Sequence, residues 1–358
     1  MQLNRFSFHE TDFLANDLAK LLRQPDIGSE AEIDASRIAP YKSHAAFPGI
    51  IVLHDGRPCA AMSYSREPGA TVVVSQPVVL IHATDHVRRN LYDVLLRRIQ
   101  KGSVEFGFLQ MNFLKHDSFN DLLFMRLAAE RGFVPSASIS QWELSILCGS
   151  AERQADLKNS DKPLKLGQRD RTVHRFNITD TNGDEVREVQ TALDAILRCS
   201  DDLPSQPRPL AVELLAKWQS IGANIFTCRV QGKIAGILSC VECTATDSAT
   251  EIDKGGIAES GSRKYVSIEY IGVVREFRRQ QSASWLIGQI PLLLHQNGQG
   301  VTQASRPAVT IVTAFSDAAN SPATGLYQSR GFVRVAAMQL WCCDLLKEQS
   351  GKSVSYQS

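Results

Sequence analysis

Apolar positions along this chain come in short runs of two periods, and the two kinds of run alternate. Residues 10–25 place Phe13, Leu14, Leu18, Leu21 and Leu22 at helical spacing and close at Pro25, which predicts a helix. GIIVLH (49–54) and PCAAMSYS (58–65), set around Asp55-Gly56, predict two strands, and the β-branched run 70–81 a third. Behind Thr84 and Asp85, either of which can cap a helix, Val87, Leu91, Val94, Leu95 and Ile99 form one stripe. A strand (104–113), a helix (118–133) and a strand (137–147) complete this half. Residues 148–171 are too polar to bury a face of their own and read as a linker.

The second half repeats the plan. A strand (172–178) leads to a helix (184–199) with Val186, Val189, Ala192, Leu193 and Ile196 on one side. A proline-punctuated loop (201–209), a helix (210–220) and a hairpin of 225–230 with 234–245 around Gly232-Lys233 follow. After a loop (246–264) come a strand (265–274), a basic turn and a long helix, which Pro291 is expected to kink after Ile287. A strand (308–315), a short helix and a closing strand (334–345) end the pattern. FMRLAAERGF (124–133) and GLYQSRGF (325–332) share a helix that stops at Arg-Gly-Phe, where Gly suits a left-handed cap and Phe packs back. Domains are therefore expected at 1–147 and 172–346, with 347–358 as a flexible tail.

Composition narrows the function classes. A chain of 358 residues with 43% apolar and 22% charged positions suits two soluble domains. A formal net charge of +1 gives no case for nucleic acid or an anionic membrane surface as partner. The longest apolar runs (234–238, 285–294) are far short of the ~20 residues of a membrane span, and the N-terminus lacks a signal-peptide core, so a cytoplasmic address is expected. Of the 8 cysteines, Cys240 and Cys243 form a C-x-x-C on a strand-like run. Their side chains would point to opposite faces, a poor geometry for one ion. No metal is expected, and the thiols read as those of a reducing compartment.

The strand-to-helix junction at 265–296 carries the chemistry. The N-terminus of a helix offers unpaired N–H groups and a positive dipole end, which suit a pyrophosphate. The candidate donors are the backbones of Arg279, Gln280, Gln281, Ser282, Ala283 and Ser284, with the Arg278 and Arg279 side chains nearby. VVREFRRQQSASWLI (273–287) resembles the acetyl-coenzyme-A-binding motif of the GNAT-type N-acetyltransferases, whose Arg/Gln-x-x-Gly-x-Gly/Ala signature falls on 278–283. Arg278 and Ala283 match, while Gln281 stands where glycine is usual. Downstream, Asn320-x-x-Ala323-x-x-Leu326-Tyr327-x-x-x-Gly331-Phe332 matches the family's second coenzyme-A element. A left-handed Gln281 would cost about 1–2 kcal/mol that glycine avoids, whereas right-handed angles there would remove the cost.

The resemblance implies an α/β (α+β) fold of two GNAT-like domains, each a mixed, mostly antiparallel central sheet flanked by helices. It implies acetyl-CoA as co-substrate, with strands 265–274 and 308–315 splayed apart. The backbones of Val273 and Ile271 would bond the pantetheine arm and Asn320 would hold it from the other side. It places Tyr327 as the acid that protonates the departing thiolate, the alternative being a ring packed on Phe332. Glu269, the one acid within 265–274, is the candidate base, on the same strand face as Ser267, where some family members carry their glutamate, so the exact position does not match; a structural, ion-paired Glu269 is the alternative. Asp201 and Asp202 read as a solvated acidic loop.

The first half has no such signature: HATDHVRRNLYD (82–93) lacks glycine, and His82, His86 and His116 are too scattered for a metal site. The expected function is N-acetylation of a primary amine, on a small molecule or peptide, by direct transfer in a ternary complex. Two alternatives remain, a non-enzymatic acyl-CoA sensor or scaffold and an aminoacyl-tRNA-dependent transferase of the doubled GNAT-like type. The oligomeric state is left open.

Overall fold

A computed structural model of the chain describes residues 6–13, 47–55, 57–74, 78–79, 84–103, 107–114, 122–147, 171–176, 183–200, 207–244, 263–296 and 309–345. Expectations for the linker up to residue 170, for Asp201 and Asp202, for the loop 246–262, for His82 and His116, and for the tail lie outside these residues.

The chain divides into two compact units. The first takes Met1–Ile139, Leu203–Pro209 and Ala336–Ser358; the second takes Ser140–Asp202 and Leu210–Val335. This differs from contiguous halves, and the reason lies in the closing strands. β13 (Val333–Asp344) pairs antiparallel with β6 (Phe108–Leu114), from Met338↔Leu114 to Asp344↔Phe108. β7 (Val134–Leu147) instead sends Trp142 into the core of the second unit. A strand goes where its apolar face finds cover, and sequence adjacency does not decide that.

In the first unit the strands run in the order β1 (Phe6–Phe13), β2 (Phe47–His54), β3 (Arg57–Glu67), β4 (Thr71–Val74), β6, β13, with β5 (Val78–Val79) on β3. The helix expected over 10–25 begins instead inside a strand. Phe6 to Phe13 pair with His54 to Phe47, so the first residues of that span are in a ladder, while the rest of it, 14–25, lies outside the described residues. Helices α1 (Asp85–Gly102) and α2 (Leu122–Glu130) cover the sheet with Leu91, Tyr92, Leu95 and Phe124, all buried.

The second unit orders its strands β7, β12 (Val309–Asp317), β11 (Arg263–Val273), β10 (Lys233–Thr244), β9 (Asn224–Val230), β8 (Arg171–Phe176). Helices α3 (Gly183–Arg198) and α4 (Ala211–Ser220) bury Val189, Leu193, Ile196, Leu215 and Trp218 against one face. On the other, α5 (Ser282–Gln296) and α6 (Ser321–Ser329) bury Leu286, Ile287, Ile290 and Tyr327. The β9–β10 turn sits at Gln231-Gly232, one residue before the expected place, with φ of 50° and 79°, the paired positive angles of a type I′ hairpin. α5 continues through Pro291 to Gln296 without a break in its assignment.

The Arg-Gly-Phe stops are duplicates. Gly132 and Gly331 have φ of 80° and 81°, and Phe133 and Phe332 donate to Ala128 O and Tyr327 O, each at 3.0 Å. Both are Schellman ends in which only the glycine tolerates the reversed angle cheaply.

Candidate active site

β11 is paired on one edge and released on the other. It runs parallel to β12 from Arg263↔Val309 to Ser267↔Thr313, and no pairing continues from Ile268 to Val273. Against β10 the ladder goes on to Val273↔Gly236, but with a bulge: Tyr270 faces Ser239, Ile268 faces Cys240, and Glu269 faces no residue. One extra residue bends a strand and increases its twist. Here the bulge falls where β12 is lost. Val274 N–H bonds Ala235 O at 2.9 Å on the β10 side. Since backbone polar groups alternate along a strand, those of Val273 and Ile271 face the released edge.

Beyond Val273 the chain makes one 3₁₀ turn (Arg275–Phe277) and then a left-handed pair, Arg279 at φ 62° and Gln281 at φ 63°. Gln281 therefore adopts the angles glycine would, and Arg279, which the sequence did not flag, does the same. Together they cost about 2–4 kcal/mol. Burying Leu286, Ile287 and Ile290 one turn later, at about 1.5–3 kcal/mol each, outweighs that cost and holds the turn.

The turn leads into a run of N–H groups that lie ahead of the helical ladder. Trp285 N is the first amide of α5 to reach a carbonyl, Gln281 O at 2.9 Å, so those of Ser282, Ala283 and Ser284 precede the helical ladder. The first turn of α5 holds no acid, and Arg279 stands exposed beside it. These features fit an anionic pyrophosphate. Two other predicted groups brace the turn instead. Arg278 Nη2 donates to Cys199 O at 2.7 Å, just past α3, and Nε approaches Val273 O at 3.5 Å, while Gln280 Nε2 donates to Glu276 O at 3.1 Å. Ser282 is 1% exposed. Its Oγ has no partner of full hydrogen-bond geometry, although it lies close enough to the Cys228 thiol to favour that group's ionised form. Burial pushes the Cys228 thiol up, with Arg171 and Ser282 only partly offsetting it.

α6 forms the facing element. Asn320 Oδ1 accepts from Ala323 N at 3.0 Å, so this carboxamide oxygen is committed to the helix cap. Tyr327 is 2% exposed, its ring 5.3 Å from Phe332 and 6.0 Å from Trp142. The packing expected as the alternative for Tyr327 is therefore present. Trp142 escaped the sequence reading because it belongs to a strand in the other half, and alternation within SQWELS says nothing about its partner. Glu269 is half-buried at the bulge. Among the described residues no group of three or more His, Cys, Asp or Glu is placed to hold a metal ion, and no helix is long and apolar enough to cross a membrane.

No protein-family model matches the chain, and no curated protein does. Solved structures do. A tandem GNAT protein from the clavulanic acid biosynthesis pathway superposes with a TM-score of 0.54 at 16% identity, covering 95% of this chain and 99% of that one. A GCN5-related N-acetyltransferase from Sphaerobacter thermophilus gives 0.51 at 15% identity, covering 94% and 96%. The chain has a tandem GNAT fold. Within that fold the released edge of β11, the left-handed turn and the start of α5 all lie in the second GNAT unit.

Proposed function

We propose that the second GNAT unit is an acetyl-CoA-dependent N-acetyltransferase acting on a primary amine of a small molecule or peptide. One observation carries the reading: β11 loses its parallel partner at the Glu269 bulge and then runs straight into an anion-ready helix start. A strand edge opened beside a pyrophosphate cradle suits an arm that bonds like a strand and ends in phosphates. Ile271 and Val273 offer the edge, and the backbones of Arg279 to Ser284 offer the cradle.

In the reaction an uncharged amine attacks the thioester carbonyl, the C–N bond forms and the C–S bond breaks. A lysine-like amine, with a pKa of ~10.4, must first lose a proton. Glu269, directly or through a water, is assigned that proton. Tyr327, a phenol still protonated at neutral pH, gives one to the departing thiolate, so the products are the amide and free CoA. Both substrates are bound together, since the Cys228 thiol beside Ser282 is buried and pushed up by that burial, which makes it a poor covalent relay. The soluble, metal-independent chemistry of this scheme is in keeping with a cytoplasmic protein, with neither nucleic acid nor membrane as partner.

The test is binding before turnover. Saturating acetyl-CoA should raise the melting temperature, because a ligand that binds only the folded state stabilises it. An absent shift would remove the enzyme reading and leave the scaffold. A screen of amines, amino acids and peptides for thiol release then identifies the acceptor.

A further inference from the structure

We propose that Trp142 is a positioning residue for Tyr327, a role supplied to the second unit by a strand from the N-terminal half of the sequence. The inference rests on the assignment of Tyr327 as the general acid. The Tyr327 ring has two aromatic neighbours, Phe332 at 5.3 Å with planes inclined 55° and Trp142 at 6.0 Å inclined 31°. Phe332 is local: its own amide bonds Tyr327 O at 3.0 Å, so ring and backbone on that side form one rigid helix end. Trp142 is remote and anchored independently. Its Nε1 donates to Ser316 Oγ at 3.0 Å, near the end of β12, and both residues are buried.

An indole with one donor keeps that bond in one ring orientation only, and a buried donor left unpaired costs about 1–3 kcal/mol. The Ser316 bond therefore fixes the indole plane, and the indole plane fixes the second wall of the phenol. The geometry matters because proton delivery needs the phenol oxygen within about 2.6–3.2 Å of its target, and a displacement of about 1 Å can cost 10²-fold.

The experiment uses the full chain labelled with fluorotyrosine. The chain has 7 tyrosines, and the Tyr327 resonance is the one lost in Tyr327→Phe. In Trp142→Leu, Trp142→Phe and Ser316→Ala that resonance should broaden or divide, because each lacks the Nε1–Oγ bond that fixes the ring. Thiol release from acetyl-CoA with water as the acceptor, the C–S bond breaking as a C–O bond forms to give acetate and free CoA, supplies the second readout. In Trp142→Leu kcat should fall about tenfold, with KM for acetyl-CoA changed no more than about twofold. Ser316→Ala keeps the indole and deletes only its anchor, so it decides the matter if Trp142→Leu does not fold. An unchanged Tyr327 resonance in Ser316→Ala, or a rise in KM with kcat intact, overturns the positioning role. If Tyr327→Phe releases thiol at the full rate, the acid assignment fails instead, whatever the spectra of the Trp142 variants.

Discussion

Each unit carries a strand whose chain leads on to a helix, β4 by way of the short β5 to α1 and β11 through one 3₁₀ turn to α5, and the two strands and helix starts differ in pairing and charge. β4 is paired with parallel β6 at every one of its residues, Thr71↔Phe108 through Val74↔Met111, and its register against β3 is unbroken. β11 loses its parallel neighbour after Ser267 and carries the bulge at Glu269. At the helix starts the contrast is one of charge. α1 opens on Asp85, 3.9 Å from Arg88, so an acid already sits at the positive end of its dipole. α5 opens on Ser282 behind Arg279, with no acid in its first turn. A backbone edge or helix end already satisfied by the protein leaves nothing for a ligand. One inserted strand residue and one absent carboxylate distinguish the junction proposed to bind acetyl-CoA from its counterpart.

The comparison breaks most visibly if the halves are separated. A fragment of residues 172–346 lacks β7 and therefore Trp142, and its 336–344 segment lacks β6. Deleting a buried Trp side chain alone costs about 3–5 kcal/mol against a total stability of about 5–15. The fragment should show no cooperative urea transition by circular dichroism; a fully folded one would mean that the halves are independent after all.

Next in size is the chemistry confined to the second unit. Tyr327→Phe should lower kcat for amine acetylation about 10²-fold while the acetyl-CoA melting shift persists. A variant that turns over normally would remove the acid from the scheme.

Smaller again is the strained turn. Gln281→Gly relieves about 1 kcal/mol of left-handed strain, partly offset by the greater freedom of glycine in the unfolded chain, and lets a phosphate come closer. Acetyl-CoA should bind severalfold more tightly by calorimetry; weaker binding would assign the Gln281 side chain itself to the ligand. The smallest effect is expected at Asp85→Asn, which should lower stability by about 0.3–1 kcal/mol through the α1 dipole. Titration calorimetry should still find a single acetyl-CoA per chain, and a second bound molecule would show that the first unit's junction was blocked by that charge alone.

Much of the fold was legible because it is written in local periodicity. The stripe Val189, Leu193, Ile196 gave α3, and the two Arg-Gly-Phe stops gave matching helix ends down to the same hydrogen bonds. The site was legible in outline, since 273–287 and 320–332 identified the turn and the facing helix. It was less so in detail: Arg278 braces Cys199 O, and Asn320 spends its carboxamide oxygen on a cap. Side chains at such motifs answer to neighbours that sequence spacing does not name. The strand at Phe6–Phe13 was missed for a related reason, as its partner β2 lies more than thirty residues on.

What the sequence by itself determined is the order of the elements, their helix stops and the junction where an anion would go, because each rests on energies between residues a few positions apart. What only the tertiary structure decided is which edge each closing strand covers, where β11 is released, that Arg279 and Gln281 are both left-handed, and that Trp142 walls in Tyr327. Those outcomes turn on contacts between distant segments. Their energies are set by burial and pairing in three dimensions, and a one-dimensional pattern does not carry them.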